Sequence, residues 1–278
     1  MGSFQVKPTS ATPPTRIALK ALSFFLASPG DVSEERRTLK RWLEPQLQDH
    51  GHELYAYEYD TGIAFHAGAT FQDQIPYPSD ELARVTVCIL GERLGGDVGD
   101  AFRVPDGFEK WLAEWQRPLG SPISSPGARE HEGIIPLTGT LFELLDAIRA
   151  VERDQDRKVL IFVKGSAATV PTRKWNENPK LEDVSLARKF GMSEEHDRLT
   201  ELAKNGEQGA AEAESYLSGE YRKQLSYVDA VLRILKQKAR SFETFANPAV
   251  LRERLLHHTS PENSARFEKR GGESGATR

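Results

Sequence analysis

The stretch Ala21–Trp42, ALSFFLASPGDVSEERRTLKRW, decides the fold because it joins a buried strand to a helix through a tight turn. Its apolar run, Leu22–Ala27, predicts a strand that is covered on both faces. Strands of this kind are typical of parallel sheets. The turn residues Ser28–Gly30 end the strand. The stretch therefore predicts the first half of a βαβ unit.

The helix after this strand has a clear start signal. Asp31 is a favourable N-cap residue and Glu34 follows it at the spacing of a capping box, so we expect a helix from Val32 onward. Pro45 is expected to end or kink this helix. The residues predicted to face the core are Leu39, Trp42 and Leu43.

Polar residues lie directly after the first strand. In open α/β sheets, ligands bind beyond the carboxyl ends of the strands, which is where Ser28, Gly30 and Asp31 fall. These residues are therefore candidates for ligand binding. A turn and a helix cap alone would also account for them, and their types do not decide between the two interpretations.

The chain continues as alternating strands and helices up to about residue 165. Further strands are predicted at Glu53–Tyr59, Val85–Leu90 and Lys158–Val163, with a short helix around Phe108–Trp115. This alternation predicts an α/β fold with a parallel sheet. The glycines after the third strand fit neither the dinucleotide fingerprint nor the P-loop and are read as a flexible loop; they are Gly91, Gly95, Gly96 and Gly99.

A helix is predicted to begin at Thr138-Gly139-Thr140. Its apolar residues recur at helical spacing and define a face that packs on the sheet; they are Leu141, Leu144, Leu145, Ile148 and Val151. At about 100° per residue, Glu143 points away from that face. It also lies near the helix N-terminus, where the macrodipole favours a carboxylate.

The chain divides into four predicted regions. We expect a disordered segment over 1–16, an α/β domain over 17–165, a helical extension over 166–259 and a disordered tail or linker over 260–278. The extension should contain a long helix near Ala210–Arg240. Because its heptad pattern repeats over only a short stretch, we expect this helix to pack on its own domain rather than in a coiled coil. A last short helix is predicted over Pro248–Leu256.

The composition excludes several classes of protein. A net charge of -4 gives no basic excess for nucleic-acid binding, and no apolar run approaches the length of a membrane span. The single cysteine, Cys88, is expected to be a buried core residue. With one cysteine no disulfide framework is possible within the chain, and residues 1–16 lack the apolar core of a signal peptide, so we expect a cytoplasmic protein. Neither a metal-ligand spacing nor a G-x-S-x-G elbow occurs, so we expect no resident metal and no serine nucleophile.

Two motifs resemble a TIR-like family of unknown function found at the N-terminus of bacterial STAND NTPases and related conflict-system proteins. The first is FFLASPGDVSEERRTLKRWL and the second is Thr138-Gly139-Thr140-Leu141-Phe142-Glu143. The third and fourth strands fall where the family has them, and the resemblance covers roughly Ala18–Gly165. Leu141 departs from the family, which often has an acidic residue there. The resemblance implies a flavodoxin-like, TIR-like parallel sheet flanked by helices.

The resemblance also implies an activity, because active TIR domains cleave the nicotinamide–ribose bond of NAD. Glu143 stands at the catalytic family position, and NAD would be the substrate rather than a cofactor. The implied substrate-binding residues are Ser28, Gly30, Asp31, Arg93 and Thr140. The implied biological role is an effector in antiphage or conflict signalling, with self-association or a STAND-type or other sensor protein as partner.

Two other functions remain open from the sequence. A TIR-like domain without catalysis would act as a self-assembly or protein-interaction module. A nucleoside deoxyribosyltransferase-like enzyme shares the small α/β scaffold and also places a glutamate beside a sugar. Fold alone does not choose among the three functions.

Overall fold

A computed structural model describes residues 23–48, 54–55, 77–79, 84–96, 98, 102–119, 123–124, 134–165 and 206–259. Four segments lie outside the described residues together with the predictions made for them: 1–16, 56–76, 166–205 and 260–278. Within α4, defined below, the side chains of 206–218, 220 and 221 are likewise not described.

The described elements alternate between strands and helices. The strands are β1 Phe24–Ala27, β2 Leu54–Tyr55, β3 Val85–Leu90, β4 Lys158–Lys164 and β5 Glu243–Phe245. The α-helices are α1 Ser33–Gln48, α2 Phe108–Gln116, α3 Gly139–Arg153, α4 Gly206–Gln237 and α5 Pro248–Thr259. Short 3-10 turns at Gly30–Val32 and Arg117–Leu119 lead into α1 and follow α2.

The five strands form one parallel sheet in the order β2-β1-β3-β4-β5. In its register, Phe24 lies opposite Val85, and Val85 lies opposite Lys158. This is the flavodoxin-like strand order. The prediction of a parallel α/β sheet with flanking helices is confirmed.

Successive residues of the strands face two separate cores. One core contains Leu26, Ile89 and Phe162 with the apolar faces of α1 and α5. The other contains Ala27, Cys88 and Val163 with α2, α3 and α4. Both faces of the sheet are therefore covered by helices, which explains why β1 and β3 are continuous apolar runs.

Helix α1 differs from its prediction in two respects. Pro45 does not end the helix, which continues to Gln48, and the alternative expectation of a kink at Pro45 stays a prediction. Asp31 does not cap it, because the Asp31 carboxylate accepts a hydrogen bond from the distant Glu92 amide instead. The predicted core face is correct for Leu39 and Leu43, which are buried, whereas Trp42 is only partly buried.

The segment predicted as a helical extension contains a strand of the same sheet. β5 pairs with the end of β4, and the α5 residues Leu251 and Leu255 pack in the core beneath α1. α4 is the predicted long helix, and it packs on its own domain through Val228, Leu232 and Leu235 of the predicted heptad. Leu225 of the same heptad is buried as well. The last predicted helix is confirmed as α5.

Candidate functional site

The candidate site lies where the chain leaves β1 and β3 at their carboxyl ends. After β1 the chain continues into α1, which covers one face of the sheet. After β3 it continues to α2 and α3, which cover the opposite face. The order β2-β1-β3 makes this the topological switch point of the sheet. Ligands of doubly wound folds bind in the crevice that forms at such a point.

Asp31 joins the two loops that border this crevice. Its Oδ2 accepts a hydrogen bond of 2.6 Å from the backbone N–H of Glu92. Burial of the carboxyl raises its pKa to about 6, although the Glu92 N–H and the charge of Arg93 both act to lower it. The second oxygen, Oδ1, is buried and makes no hydrogen bond within the described structure. Asp31 is therefore a carboxyl group whose pKa burial holds above its usual range.

Gly91 permits this close approach. A Cβ at position 91 would lie 2.2 Å from Asp31 Oδ2 and 2.8 Å from Cγ1 of Val32. No side chain fits there while Asp31 keeps its hydrogen bond. Gly91 is thus a steric requirement of the site, not the flexible-loop glycine that the sequence predicted.

Gly95 brings the same loop against the start of α3. Its φ of +92° belongs to the left-handed region that favours glycine, and a Cβ there would lie 3.4 Å from Thr140 Oγ1 and 3.9 Å from Pro29 Cβ. The loop after β3 therefore lies between the turn after β1 and the first turn of α3. Three segments that are far apart in sequence meet at this point.

The predicted start of α3 is confirmed. The Thr138 side chain caps the helix by accepting a hydrogen bond of 3.2 Å from the Leu141 N–H. The Thr138 hydroxyl also donates to the carbonyl of Leu94, and the Gly139 N–H donates to the carbonyl of Gly96. The cap thus fixes both the helix and the neighbouring loop, and it positions Thr140, which is 5 % exposed.

The helical spacing predicts that Glu143 points away from the sheet-packing face, and the structure shows that its side chain is nevertheless buried. Its side chain is 8 % exposed, and every residue from Thr140 to Ala150 is buried. The helix is covered on more than its sheet side, since the rings of Phe102 and Phe108 contact its residue Phe142. A helix covered on all sides has no exposed face for Glu143 to occupy.

The negative charge of Glu143 acts on the thiol of Cys88 in β3. Burial raises the pKa of this thiol far above its usual range, and the negative charge of Glu143 raises it further. Cys88 is 0 % exposed, so it is a buried core residue as predicted and remains a neutral thiol. Glu143 lies one helical turn after Thr140, on the helix that packs in the same core as β3.

The remaining predicted residues also belong to this edge of the sheet. Ser28 is buried, its Oγ makes no hydrogen bond among the described residues, and its carbonyl accepts from Arg36 Nη1 at 3.3 Å. Gly30 begins the 3-10 turn that carries Asp31. Arg93 is 7 % exposed and interacts electrostatically with Asp31. The structure thus brings the six predicted residues to one edge of the sheet, on three segments of the chain.

Two residues of this edge were not predicted from the sequence. Gly91 could have been predicted, because a glycine directly after a buried strand often marks a close approach of backbone or side chain. Gln224 of α4 could not have been predicted from any local pattern. Its Oε1 accepts a hydrogen bond of 3.3 Å from the Leu94 N–H. It lies in a helix that the sequence placed outside the α/β domain.

Comparison with known proteins finds no matching protein-family model, no matching curated protein and no matching solved structure. None of the described helices is long and apolar enough to cross a membrane. Over the same described residues, no group of three or more His, Cys, Asp or Glu side chains is arranged to hold a metal ion.

Proposed function

We propose that this chain is a TIR-like NAD glycohydrolase that cleaves the nicotinamide–ribose bond at the β1/β3 edge of its sheet. The observation that carries the proposal is the meeting of Ser28, Asp31, Arg93, Thr140 and Glu143 at the switch point of a flavodoxin-like sheet. These are the residues to which the motif resemblance assigned substrate binding and catalysis.

The chemistry requires one well-placed carboxylate. Nicotinamide leaves as a neutral molecule from a pyridinium, so no strong general acid is needed, and the barrier lies in the developing oxocarbenium ion of the ribose. A carboxylate beside the ribose stabilises that positive charge, and the effect is larger where water is excluded. Glu143 is assigned this role, and its 8 % exposure provides the dry surroundings.

The polar residues around Glu143 suit the rest of the substrate. Asp31 presents a carboxyl and Ser28 a hydroxyl, both of which pair well with ribose hydroxyls. Arg93 carries the positive charge that a pyrophosphate requires. Burial raises the pKa of Asp31. Because the reaction needs no general acid, we assign Asp31 to substrate binding and not to bond cleavage.

The test is to incubate the purified chain with NAD and to separate nicotinamide and ADP-ribose species by chromatography. Glu143→Gln keeps the shape of a buried side chain and removes its charge; Glu114→Gln, at an exposed position of α2, is the matched control. We expect nicotinamide release by the wild type and the control and its loss in Glu143→Gln. The assay is repeated at high concentration and under crowding, because neighbouring subunits often complete TIR-type sites.

A second candidate function is a TIR-like interaction module without catalysis. The burial of Glu143 favours it, because a side chain that is only 8 % exposed offers little access to a substrate. Light scattering distinguishes the two functions. Reversible self-association that is equal in the wild type and Glu143→Gln, with no nicotinamide released in any assembled state, would favour the module.

The biological role is proposed on the same basis. The chain would act in the cytoplasm as an effector of antiphage or conflict signalling, and a STAND-type or other sensor protein would trigger its assembly. Depletion of cellular NAD on expression of the wild type, but not of Glu143→Gln, is the expected result in bacteria.

A further inference from the structure

The loop that follows β3, residues 91–96, is held by hydrogen bonds on both sides of Arg93. The Glu92 N–H donates to Asp31 Oδ2 at 2.6 Å, and the Leu94 N–H donates to Gln224 Oε1 at 3.3 Å. Arg93 therefore stands between two fixed backbone amides, one tied to the β1 turn and the other to α4. We call residues 91–96 the β3 loop.

The carbonyl side of the β3 loop is held as well. The Leu94 carbonyl accepts from the Thr138 hydroxyl and the Gly96 carbonyl accepts from the Gly139 N–H at 3.2 Å. Leu94 thus forms hydrogen bonds to two different helices through its two backbone groups. Its side chain is 0 % exposed, which leaves no water to replace either bond.

Gln224 belongs to a rigid part of α4. The next residue, Leu225, is buried, and Val228 and Leu232 pack in the same core as β3 and α3. This packing fixes the Gln224 backbone relative to the sheet. The hydrogen bond from the Leu94 N–H to Gln224 Oε1 then fixes the β3 loop relative to α4, although the two residues are 130 positions apart in the sequence.

From this geometry we propose that Gln224 is a positioning residue of the candidate site, which ties α4 to the β3 loop and thereby places Arg93. The role in holding the loop rests on the hydrogen bonds alone. The consequence for a ligand rests on the proposed function, in which Arg93 meets the pyrophosphate. α4 is then a required part of the candidate site and not a separate extension of the domain.

Three variants test the proposal. Gln224→Met retains the length of the side chain but lacks an oxygen acceptor, whereas Gln224→Glu retains an acceptor at the same position. Arg222→Ala, an exposed position two residues away on α4, is the matched control. Melting temperatures of all three establish that they fold before the other readouts are compared.

The first readout is hydrogen exchange of the Leu94 amide by NMR, which needs no ligand. Loss of one net hydrogen bond predicts an increase in exchange rate of about fivefold to tenfold in Gln224→Met. The wild-type rate should return in Gln224→Glu and persist in Arg222→Ala. An unchanged Leu94 rate in Gln224→Met overturns the proposal.

The second readout is the affinity for ADP-ribose by calorimetry. Gln224→Met should weaken binding severalfold, Gln224→Glu should restore it, and the loss should vanish in an Arg93→Ala background because Gln224 acts through Arg93. An equal loss in both backgrounds contradicts that route. A wild-type chain that binds no ADP-ribose counts against the proposed function, and the exchange rate then still decides the role of Gln224 in holding the loop.

Discussion

Replacing Gly91 by alanine should destabilise the chain strongly, and the reason is steric. The new Cβ would lie 2.2 Å from Asp31 Oδ2, 2.7 Å from Asp31 Cγ and 2.8 Å from Val32 Cγ1. Gly91 does not have a positive φ, so its backbone alone would accept alanine. The whole cost therefore comes from the side chains of Asp31 and Val32.

The magnitude follows from the two contacts. To make room, Asp31 must withdraw from the Glu92 N–H, and a hydrogen bond to a charged group contributes about 1.5–3 kcal/mol. Displacing Val32, which is 0 % exposed, overpacks the core at a cost of about 1–3 kcal/mol. Gly91→Ala should therefore lose roughly 3–5 kcal/mol, a large part of the stability of an ordinary domain.

A double-mutant cycle in urea measures this coupling. Asp31→Ala removes the two nearest clashing atoms, so Gly91→Ala should cost about 2 kcal/mol less in that background than in the wild type. Gly96→Ala is the control, because no atom lies within 4 Å of its Cβ position; it should be neutral or gain up to about 1 kcal/mol. Additive losses in the cycle, or equal losses at positions 91 and 96, would refute the steric argument.

Three further predictions concern other parts of the chain. Because the pKa of Asp31 rises from 3.8 to about 6 on folding, its contribution to stability is largest below pH 4 and is lost as the pH rises through 6, a change of about 3 kcal/mol. Urea titrations between pH 4 and 8 should show that Asp31→Asn lacks this fall. Asp146→Asn breaks the buried pair with Arg149, at an N–O distance of 2.8 Å, and should cost about 3–5 kcal/mol in the same assay. Ala239 lies two residues after the end of α4 and has a φ of 53°, which favours glycine, so Ala239→Gly should raise stability by about 0.5–1 kcal/mol; a lowered melting temperature would contradict this expectation.

The sequence predicted the central strands well because their signal is local. β3 begins and ends at the predicted residues, and β4 extends one residue beyond its prediction. β5 was missed because three residues, ETF, carry no periodicity. They become a strand only because β4 offers an unpaired edge beside them. A strand this short is defined by its neighbour and not by its own composition.

The candidate site was predicted less completely, and Asp31 and Glu143 show why. A capping box is a local pattern, so the sequence assigned Asp31 to its own helix, whereas the folded chain offers it the Glu92 amide as a partner. The helical spacing directs Glu143 away from the sheet, but it does not tell whether other parts of the chain cover that side of the helix. In the structure every residue from Thr140 to Ala150 is buried, Glu143 included.

The amino-acid sequence by itself determined the class of fold, the central strands, the α3 cap and the residue types at the carboxyl ends of the strands. Each of these depends on residues within one element, so periodicity and turn chemistry are enough to predict it. Only the tertiary structure decided the strand order, the burial of Glu143, the hydrogen bond from the Glu92 amide to Asp31 and the one from the Leu94 amide to Gln224. These depend on groups far apart in the chain, and their positions are fixed only when both cores are packed.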